Sequence, residues 1–172
     1  MNMFSPPQTA SAAVAIIRSL APSESFLVLR RVTHPKDPWS GHFSFPGGRK
    51  EDKDQDLLAT CIRETKEETG ILLDVGQLEQ RLPLEPAGQN LKTPLWVEPF
   101  LFTIDSPPPL TLCQHEIQSA CWLNARLFQN SKLHKNVEMV PGRMFPVYPL
   151  EDYYLWGFTY KLLQSILKRE NL

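Results

Sequence analysis

Residues 45–71 constrain this chain more than any other stretch. His42-Phe43-Ser44-Phe45 alternates polar and aromatic residues until Pro46-Gly47-Gly48 breaks it, and Arg63-Glu64-Thr65-Lys66-Glu67-Glu68-Thr69-Gly70-Ile71 follows. The acids at Asp54–Asp56 can cap free N–H groups, so a helix is predicted to open there. Gly70 is the usual left-handed stop. Taking about 100° per residue, Leu58, Cys61, Ile62, Thr65 and Thr69 share one stripe. Glu64, Glu67 and Glu68 are three and four apart, so they meet on one patch beside that stripe, with about 5–6 Å between neighbouring Cβ atoms.

That patch is a poor local choice. Like charges at this spacing cost a helix about 0.2–0.5 kcal/mol per pair. They also sit in the last turns, where the helix dipole disfavours negative charge. Two readings compete. One is a solvated acidic face relieved by Arg63 and Lys66. The other is a divalent cation that neutralises the cluster, and hard oxygen donors with nothing soft nearby point to Mg²⁺ or Mn²⁺. Glycines ahead of the helix let the backbone approach a ligand or turn a carbonyl onto a metal.

Glycines, a capped helix and R-E-x-x-E-E-x-G-aliphatic together resemble the Nudix box, G-x5-E-x7-R-E-U-x-E-E-x-G-U, where U is bulky and aliphatic. Arg63, Glu64, Glu67, Glu68, Gly70 and Ile71 match its second half, and Thr65 stands at the first U. Counting from Gly48, Asp54 stands where the first Glu belongs, with one extra residue before Arg63. The resemblance implies a Nudix-type α/β/α sandwich with a mixed β-sheet. It implies one domain over residues 1–172, with the box at about 47–71 and a loose lead-in at 1–10. It implies hydrolysis of a nucleoside diphosphate linked to another group. Mg²⁺ or Mn²⁺ would be held by Glu64, Glu67, Glu68 and the Gly47 carbonyl. Glu64 would be the general base, and Arg63 would orient the glutamates by ion pairing. The alternative is a Nudix-fold module that binds nucleotide without turnover. Such modules usually lose acids of the triad, and all three are present here.

A looser resemblance extends to the coenzyme A pyrophosphatase branch of that family. It rests on Leu27-Val28-Leu29-Arg30-Arg31, Gly41-His42-Phe43-Ser44-Phe45-Pro46-Gly47-Gly48, Leu57–Glu64 and Tyr154-Leu155-Trp156-Gly157-Phe158-Thr159. That branch carries an Arg and a His before its FPGG, where this chain has Lys36-Asp37-Pro38-Trp39-Ser40-Gly41.

Other candidates have two readings each. Arg30 and Arg31 end a strand and could meet a substrate phosphate or sit exposed as strand-end cations. Gly48 could approach the substrate. Trp39 could stack on a base or simply pack in its irregular, mobile-looking loop, His34–Gly41. Glu116 could add a further acid to the site or be solvated. His34 and His42 read as structural or exposed, and Trp156, Phe158 and Tyr160 as core or interface.

The composition narrows the class. At 172 residues, 42% hydrophobic and 22% charged, the chain fits one core. With 18 Lys+Arg against 19 Asp+Glu, it lacks the basic surface of a nucleic-acid binder. Its apolar runs fall short of the roughly 20 residues a membrane span needs. No Lys or Arg precedes Ala12, so the positive front of a secretory signal is missing. Three cysteines without CxxC spacing read as thiols in a reducing cytoplasm. The expected partner is a small-molecule nucleotide, with a homodimer implied as an option by the resemblance. Sixteen prolines punctuate loops. Strands are predicted at Ala12–Arg18, Ser25–Val32, Ile71–Leu82, Leu95–Ile104 and Glu116–Leu123, with Pro99 at a bulge or edge. A long Pro/Gly/Asn loop is predicted from the end of Ile71–Leu82 to Lys92, and a second helix at Tyr153–Leu167. Gln129–Tyr148 carries no recognisable signal.

Overall fold

The structure, a computed structural model, describes residue 7, residues 9–88 and residues 92–169. Most of the lead-in 1–10 and part of the loop before Lys92 lie outside the described residues.

The central sheet is mixed. Strand β1 (Ala12–Ser19) runs parallel to β7 (Leu95–Ile104), in register from Ala12↔Val97 to Ser19↔Ile104. Its end pairs antiparallel with the start of β2 (Ser25–Arg31), at Arg18↔Phe26 and Ser19↔Ser25. The two strands then splay apart, and two short strands fill the gap. β3 (Phe43–Ser44) pairs with the end of β2, and β4 (Gly47–Arg49) with the start of β1. β8 (Ile117–Asn124) covers the far edge of β2. On the other side, β5 (Leu78–Arg81) and β6 (Glu85–Ala87) both pair with β7.

Alternation along β1, β2 and β7 sends side chains to two cores. Ala13, Ala15, Ile17, Leu27, Leu29, Phe100 and Phe102 pack under α1 (Leu57–Thr69) with Leu57 and Cys61. Ile16, Phe26, Val28 and Leu101 face the opposite layer. That layer holds α2 (Ala125–Phe128), α3 (Gly157–Arg169) and a second sheet, ordered β11 (Tyr153–Trp156), β10 (Arg143–Leu150), β9 (Lys135–Val140). Helices on both faces of a mixed sheet make the expected α/β/α sandwich. Among the described residues, no helix is long and apolar enough to cross a membrane.

The structure departs from the sequence reading in four places. Residues 153–156 form β11, not the start of a helix, because aromatic and β-prone Tyr153-Tyr154-Leu155-Trp156 pairs with β10. Gly157, at φ +68°, then turns the chain into α3. Pro141-Gly142 closes a β9–β10 hairpin within the stretch that lacked a signal, with Gly142 at φ +74°. Of Ile71–Leu82, only β5 is strand. Asp74 caps a short 3₁₀ turn at Val75–Gln77, accepting from Gly76 N–H. β6 lies within the expected loop, and its Pro86 pairs opposite Trp96.

Pro99 shows why the break between β5 and β6 exists. Its carbonyl accepts from Leu82 N–H at 2.9 Å. Its missing donor therefore faces the same side, where the ladder is interrupted between the two short strands. A proline survives inside a sheet where no partner asks for its N–H.

Candidate active site on helix α1

Helix α1 is fixed at both ends. The Asp56 side chain accepts from Ala59 N–H at 2.8 Å, and Gly70 adopts φ 76° and donates to Lys66 O. The last carbonyls of a helix lack partners within it. Here Thr111 N–H donates to Thr69 O and Cys113 N–H to Glu68 O, so residues 111–113 cap the acidic end.

The glycines ahead of α1 lie in a short strand. β4 runs in register with β1, Val14 opposite Gly47 and Ala13 opposite Gly48. Gly47, at φ +157°, lies so close to β1 that a Cβ would enter the Ala13 carbonyl oxygen and stand 2.8 Å from Val14 Cα. A Cβ on Gly48 would stand 2.6 Å from Glu64 Oε1. Glycine at 47 is demanded by backbone, and at 48 by a carboxylate.

The three glutamates sit in three environments. Glu68 is only 3% exposed and accepts from Gly47 N–H at 3.1 Å. Burial pushes its carboxyl up to about 8, and the charges of Glu64 and Glu116 add to the shift while Arg31 opposes it. Glu64 is half-buried, and desolvation raises it despite a 2.9 Å bond from Arg63 Nη1. Glu67 is exposed and takes a 3.1 Å bond from the same Nη1. The patch thus runs from solvent into the core.

Arg63 organises this patch. Its Nε and Nη2 grip the two oxygens of Asp54, each at 2.8 Å, and Nη2 also donates to Arg49 O at 3.3 Å. Asp54 is itself buried, accepting from Glu51 N–H and Thr60 Oγ1. The Arg63 guanidinium holds its carboxyl well below the usual range, with Glu51 N–H and Thr60 adding to the effect and burial opposing it. The extra residue of the box therefore lies between Asp54 and Arg63, where the two side chains still pair, and the spacing of the glutamates on the helix is untouched.

Thr65 is a local misfit. It is fully buried, and among the described residues its Oγ1 has no hydrogen-bond partner. A buried unpaired hydroxyl costs about 1–3 kcal/mol. Thr65→Val should therefore raise Tm by about 2–12 °C, at 2–4 °C per kcal/mol for a chain of this size, with activity unchanged. Calorimetry and a kinetic assay on one preparation check this, and a fall in Tm would show that the hydroxyl is satisfied.

The remaining candidates divide between the two faces. Arg31 shares the α1 face with Leu27 and Leu29, and its charge is felt at Glu68. Arg30 points the other way. It donates to Gly41 O and Asp152, between the rings of Phe43 and Tyr153. Glu116 is exposed at the start of β8, its negative charge felt at both Glu64 and Glu68. Trp39 is half-buried in a loop that is tied down, with its own N–H on Asp37 Oδ1 and its carbonyl taking His42 N–H. His42 rests against Trp156 and Tyr153. Sequence reasoning passed over Asp37, although Asp-Pro ahead of Trp39 is a turn-forming signal.

Among the described residues, no three acidic, His or Cys side chains stand as a ready ligand cluster. Arg63 Nη1 lies between Glu64 and Glu67, and Glu68 turns to Gly47 N–H. The donor set still fits a hard cation. It is all oxygen, and its innermost carboxylate is buried with no cationic side chain among the described residues bonded to it.

The comparisons agree on one family. Residues 9–145 match the model of the NUDIX domain. An uncharacterised Nudix hydrolase, NudL of Yersinia pestis, is 34% identical over 85 residues, which cover 49% of this chain and 42% of the relative. The chain spans less than half the length of the curated relatives it matches. The crystal structure of a C. elegans Ap4A hydrolase binary complex is 27% identical, at TM-score 0.51, over 69% of this chain and 82% of that one. The NUDIX domain of Shewanella oneidensis NrtR, complexed with ADP ribose, shares the fold at 15% identity. Its TM-score is 0.65, covering 98% of this chain and 94% of that one.

Proposed function

Because this chain belongs to the Nudix family, we propose that it hydrolyses the phosphoanhydride linkage of a nucleoside diphosphate derivative. The observation that carries the proposal is Glu68, a carboxylate buried beside Glu64 and against the glycine strand. An unpaired buried charge is costly, and a bound cation removes that cost. Glu64, Glu67 and Glu68, with the Gly47 carbonyl, would hold Mg²⁺ or Mn²⁺. When bound, the cation neutralises diphosphate charge and acidifies water. Glu64, already raised by desolvation, is suited to take the proton of the attacking water. Arg63, committed to Asp54, Glu64 and Glu67, orients the carboxylates and does not reach for substrate.

Small nucleotides are the substrate class, in keeping with the Ap4A hydrolase and ADP ribose complexes among the similar structures. Coenzyme A or an acyl ester is the candidate drawn from the resemblance at Gly41–Gly48 and Tyr154–Thr159. Cleavage would release 3′,5′-ADP and 4′-phosphopantetheine. The changed stretch Lys36–Gly41 weighs against it, because sites built on polar recognition discriminate strongly when a partner is missing.

A panel tests both levels. Coenzyme A, ADP-ribose, NADH, dinucleoside polyphosphates and nucleoside triphosphates are each assayed with Mg²⁺ and with Mn²⁺. At least one is expected to turn over with metal and to stop in EDTA. Full activity in chelator would remove the cation from the reading. A coenzyme A kcat/KM about a hundredfold below the best member would end that candidate, a gap of about 2.7 kcal/mol in transition-state binding.

A further inference from the structure

Arg31 and Asp37 form a device that the box does not contain. Arg31 ends β2 on the α1 face, and its Nε and Nη2 both hold Asp37 Oδ2, at 2.9 and 2.8 Å. The other oxygen, Oδ1, accepts from Trp39 N–H at 3.0 Å. Asp37 therefore closes a turn with one oxygen and fixes a guanidinium with the other. The loop around it is rigidly bonded. Ser40 N–H donates to Asp37 O, His34 N–H to Ser40 Oγ at 2.6 Å, and Arg31 N–H to His42 O.

Arg63, Arg30 and Arg31 differ in what they have left to give. Arg63 spends its fork on Asp54, Glu64, Glu67 and Arg49 O. Arg30 is sandwiched on the opposite face and paired with Asp152. Arg31 is 31% exposed, and its Nη1 edge bonds to no described residue. It pairs with Asp37 and not with Glu68, although its charge reaches Glu68.

We propose that Asp37 is a positioning residue that holds Arg31 with its open edge toward the carboxylate patch, where it anchors the substrate's diphosphate. A planar fork held on one side and open on the other suits a phosphate oxygen. Holding it in advance lowers the ordering cost of binding. This rests on the proposed hydrolase reading, which names a diphosphate as the anion.

Asp37→Asn is the incisive variant. It keeps an oxygen for Trp39 N–H and removes the charge that fixes Arg31. Two readouts are used: steady-state kinetics on the best panel substrate, and calorimetric binding of α,β-methylene-ADP. Asp37→Asn is expected to raise KM and Kd by about tenfold, in the range for a charge-assisted hydrogen bond, with kcat within about threefold. Asp37→Glu recovers part of the loss. Arg31→Ala weakens binding at least as much, and the double variant is no worse than Arg31→Ala, since Asp37 acts only through Arg31. Unchanged KM and Kd, or additive losses in the double variant, overturn the proposal. So does a fall in kcat that simply tracks a loss of folded protein by Tm. A wild type that binds α,β-methylene-ADP but turns over nothing defeats the hydrolase reading alone. A wild type that binds no α,β-methylene-ADP defeats this inference.

Discussion

Glu68→Gln is expected to lower kcat by about a thousandfold while making the metal-free protein more stable. The loss of rate follows from removing the buried charge that fits a cation, and single charge-stabilising groups in active sites contribute on that scale. The gain in stability follows from proton linkage. In the unfolded chain, Glu68 ionises near its ordinary value of 4.5, and in the folded protein near 8. Between those values the native state binds the extra proton, so stability falls as pH rises through this window. Above about pH 8 the full cost is present. The glutamine variant, which keeps an acceptor for Gly47 N–H, escapes it. Its Tm in EDTA should exceed that of the wild type by several degrees at pH 8.5 and by little at pH 5. Saturating Mg²⁺ should close the gap by stabilising the wild type more. Glu67→Gln should cost turnover similarly. An unaltered kcat in Glu68→Gln, or a Tm gain that ignores pH, would make this carboxylate a structural group.

The second large effect separates the two glycines. Gly47→Ala places a methyl against the Ala13 carbonyl and Val14 Cα, all of it backbone in the first strand of the central sheet. Nothing there can rotate away. We expect a loss of about 3 kcal/mol or more, in line with overpacking compounded by an unfavourable φ, and a Tm lower by about 6–12 °C. Gly48→Ala meets only the Glu64 carboxylate, the far end of a flexible side chain. Its Tm should move little, while activity falls because Glu64 is pushed aside. Equal thermal losses in the two variants, read by calorimetry beside a kinetic assay, would contradict the assignment of backbone crowding to Gly47 alone.

What was legible in the sequence was local. The ends of α1 could be read because Asp56 and Gly70 act within one turn of the helix they bound. The long central strands could be read because burial on both faces leaves near-continuous apolar runs. β11 was not, because Leu155 continues the spacing of Phe158, Leu162 and Ile166. Only the φ of Gly157 and pairing with a strand beginning at Arg143 decide otherwise. The β9–β10 hairpin was missed because prolines and charged residues blur the alternation along it. The site divides the same way. Spacing alone gathers Glu64, Glu67 and Glu68 on one helix. Their unequal burial, the separation of Arg30 from Arg31, and the grip of Asp37 come from what each strand face meets.

The stitching of α1 has a dynamic consequence. Thr111 and Cys113 donate to its last carbonyls, Gly47 donates to Glu68, and β4 is zipped to β1 through Ala15 N–H on Pro46 O and Lys50 N–H on Ser11 O. Helices ordinarily fray from their ends, and their terminal amides exchange with solvent first. Here the C-terminal turn of α1, the glycine strand and the 111–113 segment share bonds, so none can loosen without the others. Their amide protons should exchange at one common rate, in a single cooperative opening, and this turn should be among the slowest parts of the molecule to breathe.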